Sequence, residues 1–161
     1  MPAPSAPSPT LHCPSLEATD ALGARLGALL RGGDVLALSG ALGVGKTTLV
    51  QGIARGLGLD SRVPVTSPTF TLVNEYPSPI PLRHADFYRI ESEQRLFELG
   101  FDDLFDGRGI VVVEWAERWP DALPRDRLVI SISLAGPTAR DLHVEPIGDR
   151  PTEVLRALGG G

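Results

Sequence analysis

The stretch Gly40-Ala41-Leu42-Gly43-Val44-Gly45-Lys46-Thr47-Thr48 has the residue types and spacing to grasp a triphosphate. Its glycines let successive backbone N–H groups turn inward around phosphate oxygens, and a helix opening directly after them adds its positive N-terminal end. Lys46 is placed to reach the β- and γ-phosphates, and the Thr47 hydroxyl to ligate Mg²⁺. The basic residues of the chain are 14 arginines and this one lysine. A lysine kept where every other basic position is arginine points to a site that needs a slim ammonium and not a planar guanidinium, against chance odds of roughly one in 15.

A triphosphate held this way needs an acidic partner at the end of a neighbouring buried strand. Ile110-Val111-Val112-Val113-Glu114 has that shape, with Glu114 the first charge after four apolar residues. Glu114 is the candidate to hold the metal through water; the competing reading is a solvated strand-end carboxylate. Trp115 follows directly and by itself is read more readily as packing. Asp86, in Arg83-His84-Ala85-Asp86-Phe87-Tyr88-Arg89, could orient the attacking water or support the metal shell, and spacing alone leaves the matter even. His84 shares the strand face of Asp86 and is as readily structural as catalytic, so no role is assigned to it. Thr66, Ser67 and Thr69 form a hydroxyl-rich loop where a segment sensing the γ-phosphate would sit, although an ordinary Ser-Pro turn fits equally well. GTP recognition through an Asn-Lys-x-Asp stretch is impossible with Asn74 as the only asparagine and Lys46 as the only lysine, so ATP is the expected nucleotide.

The elements that would position these groups follow from hydrophobic periodicity. Residues 1–14 carry prolines without apolar pattern and read as a disordered lead-in, leaving 15–161 as a single domain. From Ser15, a ready N-cap, Leu22, Leu26, Leu29 and Leu30 recur at helical spacing until Gly32-Gly33. The apolar run at 34–39 predicts a strand entering the glycine loop, and Leu49, Val50, Ile53, Ala54 and Leu57 predict the helix leaving it. Residues 69–76 and 82–88 read as strands joined by a Pro-rich connection, hence an antiparallel pair. A helix is expected over 91–99, a buried central strand over 110–113, alternating strands over 128–134 and 141–145, and a closing helix over 152–158. The fold class expected is α/β: a P-loop NTPase fold with a mostly parallel central sheet, helices on both faces and the added antiparallel pair.

A net charge of −5 offers no global basic field for nucleic acid, which favours a protein partner over direct RNA contact. No apolar run approaches the roughly 20 residues of a membrane span, and a cytoplasmic location is expected. The single Cys13 cannot form an internal disulfide and is read as incidental.

Five motifs in one order, the loop 40–48, Ser67-Pro68-Thr69-Phe70-Thr71-Leu72, His84-Ala85-Asp86-Phe87-Tyr88-Arg89, Glu98-Leu99-Gly100 and Val113-Glu114-Trp115, resemble the TsaE family of bacterial tRNA threonylcarbamoyladenosine biosynthesis from about residue 15 to 144. The resemblance implies an Mg²⁺-dependent ATPase that works with two partner subunits, of the TsaB and TsaD type. It would support turnover of the complex that modifies the adenosine beside the anticodon without performing the transfer, any tRNA contact being indirect. Lys46 and Thr47 match the family's phosphate and metal positions, Glu114 its second metal position, and Asp86 an aspartate needed for hydrolysis. Ser67 to Thr69 match a switch-like loop, Trp115 a tryptophan near the nucleotide, and Thr19 a threonine near the base. Where the family often has Gly-Arg before its last strand, this chain has Gly136-Pro137 and then Arg140, the candidate there for a base or ribose contact. Two rivals stand beside this expectation. One is a small-molecule kinase using Arg118, Arg125 and Arg127 as a lid, and the other a nucleotide-gated binding module with little hydrolysis of its own.

Overall fold

The computed structural model describes residues 8–41, 43–68 and 71–159, so two anticipated ligand contacts, Leu42 and Thr69, lie outside the described residues. Seven strands form one sheet: β1 (Thr10–Cys13), β2 (Val35–Ser39), β3 (Val73–Tyr76), β4 (Leu82–Asp86), β5 (Ile110–Glu114), β6 (Arg127–Leu134) and β7 (Arg140–Ile147), in the order β1-β7-β6-β2-β5-β4-β3. Four helices accompany them, α1 (Leu16–Leu29), α2 (Lys46–Gly56), α3 (Glu93–Glu98) and α4 (Asp149–Gly159), with short 3-10 turns at Phe101–Phe105, Ala116–Arg118 and Pro120–Ala122. The result is a mixed α/β fold.

β6, β2, β5 and β4 are parallel neighbours, whereas β1–β7, β7–β6 and β3–β4 pair antiparallel. The sheet is thus mixed and not mostly parallel. The alternation of β6 and β7 explains the departure: Ile130, Ile132, Leu142 and Val144 are buried, while Ser133, His143 and Glu145 are exposed. A strand wet on one face suits antiparallel pairing, whereas β2 and β5, apolar nearly throughout, suit the parallel centre covered on both sides. The expected pair near 69–88 is present with shorter strands. β3 starts only at Val73 because Leu72 takes a left-handed backbone (φ 66°), and β4 stops at Asp86, whose carboxylate accepts the Tyr88 N–H at 2.8 Å and closes a tight turn.

The reading of residues 1–14 as a structureless lead-in is corrected at Thr10–Cys13, which pair with β7 from Thr10↔His143 to Cys13↔Arg140. Four residues are too few for alternation to register in the sequence; the strand exists because β7 offers an open edge. Residues 1–7 lie outside the described residues.

One sheet face carries Leu36, Leu38, Val112, Ile130 and Leu142 beneath α1, α2 and α4; the other carries Val35, Ala37, Val111 and Val113 beneath α3 and the 3-10 turns. Ser15 caps α1, its hydroxyl accepting the Ala18 N–H at 3.0 Å, as its sequence position predicts. α1 and α2 meet backbone to backbone through Gly23 and Gly27 on one helix and Gly52 and Gly56 on the other. A Cβ at Gly23 would stand 2.6 Å from the Leu49 carbonyl oxygen, and one at Gly52 would strike the Asp20 carbonyl. This contact fixes the helix that leaves the glycine loop.

Candidate functional site

Three parallel strands end side by side. β2 runs into Gly40, β5 ends at Glu114 and β4 at Asp86, with Leu38↔Glu114 and Asp86↔Glu114 in register. Alternation places Leu82, His84 and Asp86, and likewise Ile110, Val112 and Glu114, on the face covered by α2. Lys46, first residue of α2, reaches over these strand ends from the loop. Gly40, Gly43 and Gly45 hold φ of 144°, 76° and 113°, which side chains resist, and Val44 between them is buried and pins the loop to the core. Ala41 is exposed, while Thr47 and Thr48 are half-buried in the first turn of α2.

Lys46 is only 5% exposed. Its ammonium donates to the Gly40 carbonyl at 2.8 Å and lies 4.1 Å from the centre of the Trp115 ring. Burial pushes its pKa down, against the pull of Glu114, Glu117 and Asp86, so one ammonium feels three carboxylates. Trp115 is therefore more than packing: it faces the loop lysine, stacks on Tyr88 at 4.9 Å, and sits at φ 57°, a left-handed backbone rare for a bulky side chain.

Glu114, 3% exposed, accepts from His84 Nε2 at 2.6 Å and from the Ser67 hydroxyl at 3.2 Å. Burial pushes its carboxyl up, but the His84 hydrogen bond and charge, with Lys46 and Ser67, outweigh that and hold it below the usual carboxylate range. Asp86 goes the other way. Desolvation raises it, and the nearby Glu114 charge adds to this, against the Tyr88 N–H and the charges of Lys46 and His84. Two carboxylates on adjacent strand ends thus sit on opposite sides of their ordinary pKa, a division of labour suited to metal and proton handling.

A linkage prediction follows for Asp86. A carboxyl whose pKa is raised on folding binds its proton more tightly in the native state, so the stability this confers is present at acid pH and lost as pH rises through the folded pKa. Asp86→Asn keeps the acceptor for Tyr88 but removes the charge. Its thermal midpoint is expected to exceed that of the wild type at pH 7, with the gap closing toward pH 3. A gap constant with pH would contradict this.

The other anticipated residues fall into two groups. Ser67 joins the site through Glu114, and its loop is held at Thr66, whose N–H and carbonyl both bond the Tyr76 hydroxyl at 3.2 Å while Asn74 donates to the same carbonyl at 3.1 Å. Thr19 is fully buried, its hydroxyl donating to the Ser15 carbonyl at 3.3 Å. Arg140 is also buried, and its guanidinium is spent on carbonyls, those of Val44 in the loop and Ala139 at 2.9 Å. In this structure it braces the loop from behind. Arg140→Ala is expected to cost roughly 2 kcal/mol of stability, because a charged donor to a buried carbonyl is lost; scanning calorimetry checks it. Arg118 donates to the Tyr88 carbonyl at 2.7 Å and Arg127 to Pro124 at 3.1 Å, and Arg125 stands 3.9 Å from Asp126, so the three arginines have local partners and do not arch over the loop.

Sequence reasoning missed Glu117 and Tyr88 as neighbours of the site, and His84 as the partner of Glu114. For His84 the signal was present, since it shares a strand face with Asp86; for Glu117, on an exposed 3-10 turn, there was none. Thr47, Glu114 and Asp86 offer one hydroxyl and two carboxylates, a hard oxygen set that fits Mg²⁺ completed by phosphate and water better than a metal held by protein alone. No group of three or more His, Cys, Asp or Glu able to hold a metal occurs among the described residues.

A glycine loop between strand and helix, with a lysine facing carboxylates on neighbouring strand ends, defines the class: a mixed α/β protein with a glycine loop at the ends of its parallel strands. Residues 13–142 match the family model described as threonylcarbamoyl adenosine biosynthesis protein TsaE, and the chain belongs to the TsaE family. It is 44% identical over 135 residues to the tRNA threonylcarbamoyladenosine biosynthesis protein TsaE of Bacillus subtilis (83% of each chain), and 38% identical over 136 residues to that of Treponema pallidum (83% of this chain, 99% of the other). The crystal structure of Bacillus subtilis YdiB superposes with a TM-score of 0.81 at 34% identity, covering 98% of both chains. Among the described residues no helix is long and apolar enough to cross a membrane.

Proposed function

We propose that this protein is an Mg²⁺-dependent P-loop ATPase that serves threonylcarbamoyladenosine modification of tRNA as the energy-using member of a complex with two further subunits, of the TsaB and TsaD type. The observation that carries the ATPase reading is the convergence on Lys46: a buried ammonium at the mouth of the glycine loop, influenced by Glu114 and Asp86 from two adjacent strand ends. The pathway rests on family membership.

Water attacks the γ-phosphorus as the bond to the β–γ bridging oxygen breaks, giving ADP and phosphate. Lys46 and the loop N–H groups balance charge on the phosphoryl oxygens, Asp86 orients the water and receives its proton, and Thr47 and Glu114 would hold the cation. Mg²⁺ would supply charge neutralisation of the phosphates there. The exposed Tyr88 and Glu117 at the rim leave the site open to a partner surface, consistent with slow turnover alone.

Phosphate release by the isolated protein and by its mixture with the two partner subunits tests the activity, with stimulation by the partners expected. Depletion of the protein followed by mass analysis of tRNA nucleosides tests the pathway. Normal threonylcarbamoyladenosine would refute it while leaving the nucleotide site intact.

A further inference from the structure

His84 has no place in the hydrolysis scheme above, yet it is a large polar side chain buried at 0% exposure in the floor of the site. Its Nε2 lies 2.6 Å from Glu114 Oε2. A carboxylate oxygen only accepts, so the proton of this bond belongs to Nε2. Nδ1 is buried without a hydrogen-bond partner among the described residues, which leaves the ring that single anchor. Ser67 directs its hydroxyl to the same oxygen at 3.2 Å. Both hydrogen bonds that Glu114 accepts from side chains among the described residues therefore converge on Oε2, and neither engages Oε1.

We infer that His84 is a positioning residue for the metal. By fastening Oε2 it fixes the rotamer of Glu114 so that Oε1 points at the water shell of the nucleotide-bound cation. This deepens the reading of the site as an Mg²⁺–nucleotide centre and rests on it. The arrangement has a physical rationale. An unfastened glutamate rotates about three bonds, and a cation that keeps most of its waters is held through second-sphere hydrogen bonds that tolerate little error in acceptor direction. The register of β4 and β5 makes the device possible: His84 lies opposite Val112 and Asp86 opposite Glu114, on one face, so the imidazole reaches along the strand to the carboxylate two positions on.

The test uses the full chain with ADP bound and Mn²⁺ as the probe, titrated by electron paramagnetic resonance. His84→Leu keeps bulk and loses the donor, whereas His84→Gln offers an amide N–H near the original Nε2. His84→Leu is expected to weaken Mn²⁺ binding about 10- to 100-fold while ADP affinity in EDTA stays within about twofold, and His84→Gln to recover most of the loss. Unchanged Mn²⁺ affinity in His84→Leu overturns the inference, as does equal loss in both variants, since bulk and not the donor would then matter. If the wild type itself binds ADP but no Mn²⁺, the metal centre fails first, a result distinct from either. Ring ¹⁵N shifts of His84 in the wild-type chain provide a readout that does not depend on any variant folding. A proton on Nε2, in the neutral ring or the imidazolium, is expected, and a neutral ring protonated on Nδ1 alone overturns the assignment.

Discussion

Lys46→Ala is expected to lower ATP turnover by about 10²- to 10³-fold, the loss found when a preorganised charge on the transition state is removed. Lys46 is the only lysine in the chain, so no neighbouring lysine can replace it. Lys46→Arg is expected to fail nearly as completely, because the guanidinium is planar and too wide for a pocket bounded by the Gly40 carbonyl on one side and the Trp115 ring on the other. ATP affinity should fall as well. The fold should survive Lys46→Ala, since burial already works against the lysine charge in the free protein. Phosphate release with the partner subunits present, together with calorimetric ATP binding, provides the measurement; turnover at the wild-type rate in Lys46→Ala would sink the hydrolase assignment.

The second large effect concerns stability. Gly52→Val is expected to cost about 3 kcal/mol or more, because the new side chain meets the Asp20 carbonyl, part of a helix backbone, and cannot be accommodated by a rotamer change. For a chain of this size that corresponds to a fall of roughly 10 °C in the thermal midpoint. Gly159→Ala is the control: nothing stands within 4 Å of a Cβ there, and a change within about 0.5 kcal/mol is expected. Gly52→Val should also weaken nucleotide binding, since α2 can make room only by swinging the helix that begins at Lys46. A wild-type midpoint for Gly52→Val would show that the two helices separate without cost.

The strand, loop and helix at 34–57, and the carboxylate ending 110–114, were legible in the sequence because each is a local pattern: an apolar run, a glycine spacing, a 3.6-residue period. The site was legible where chemistry is unusual, in a lone lysine and in acids at strand ends. What escaped depends on pairing between distant segments. β1 owes its existence to β7, the sheet is antiparallel on its β7 side because β6 and β7 are wet on one face, and the bond from Arg140, the candidate for a base or ribose contact, to the Val44 carbonyl joins β7 to the glycine loop. His84 could be placed on the face of Asp86, but its bond to Glu114 needs the β4–β5 register, which no single-segment pattern encodes.

The outermost strand is also coupled to the glycine loop in a mechanical sense. Cys13 pairs with Arg140, and Arg140 holds the carbonyl of Val44 at the crest of the loop. Load therefore passes from the first described strand through one guanidinium to the cradle, along a path that touches no ligand. Where a purification tag or a fusion is joined to this chain is for that reason a choice about the shape of the glycine loop: a junction that frays residues 10–13 is expected to loosen the brace, while one placed after the closing helix is expected to leave it intact.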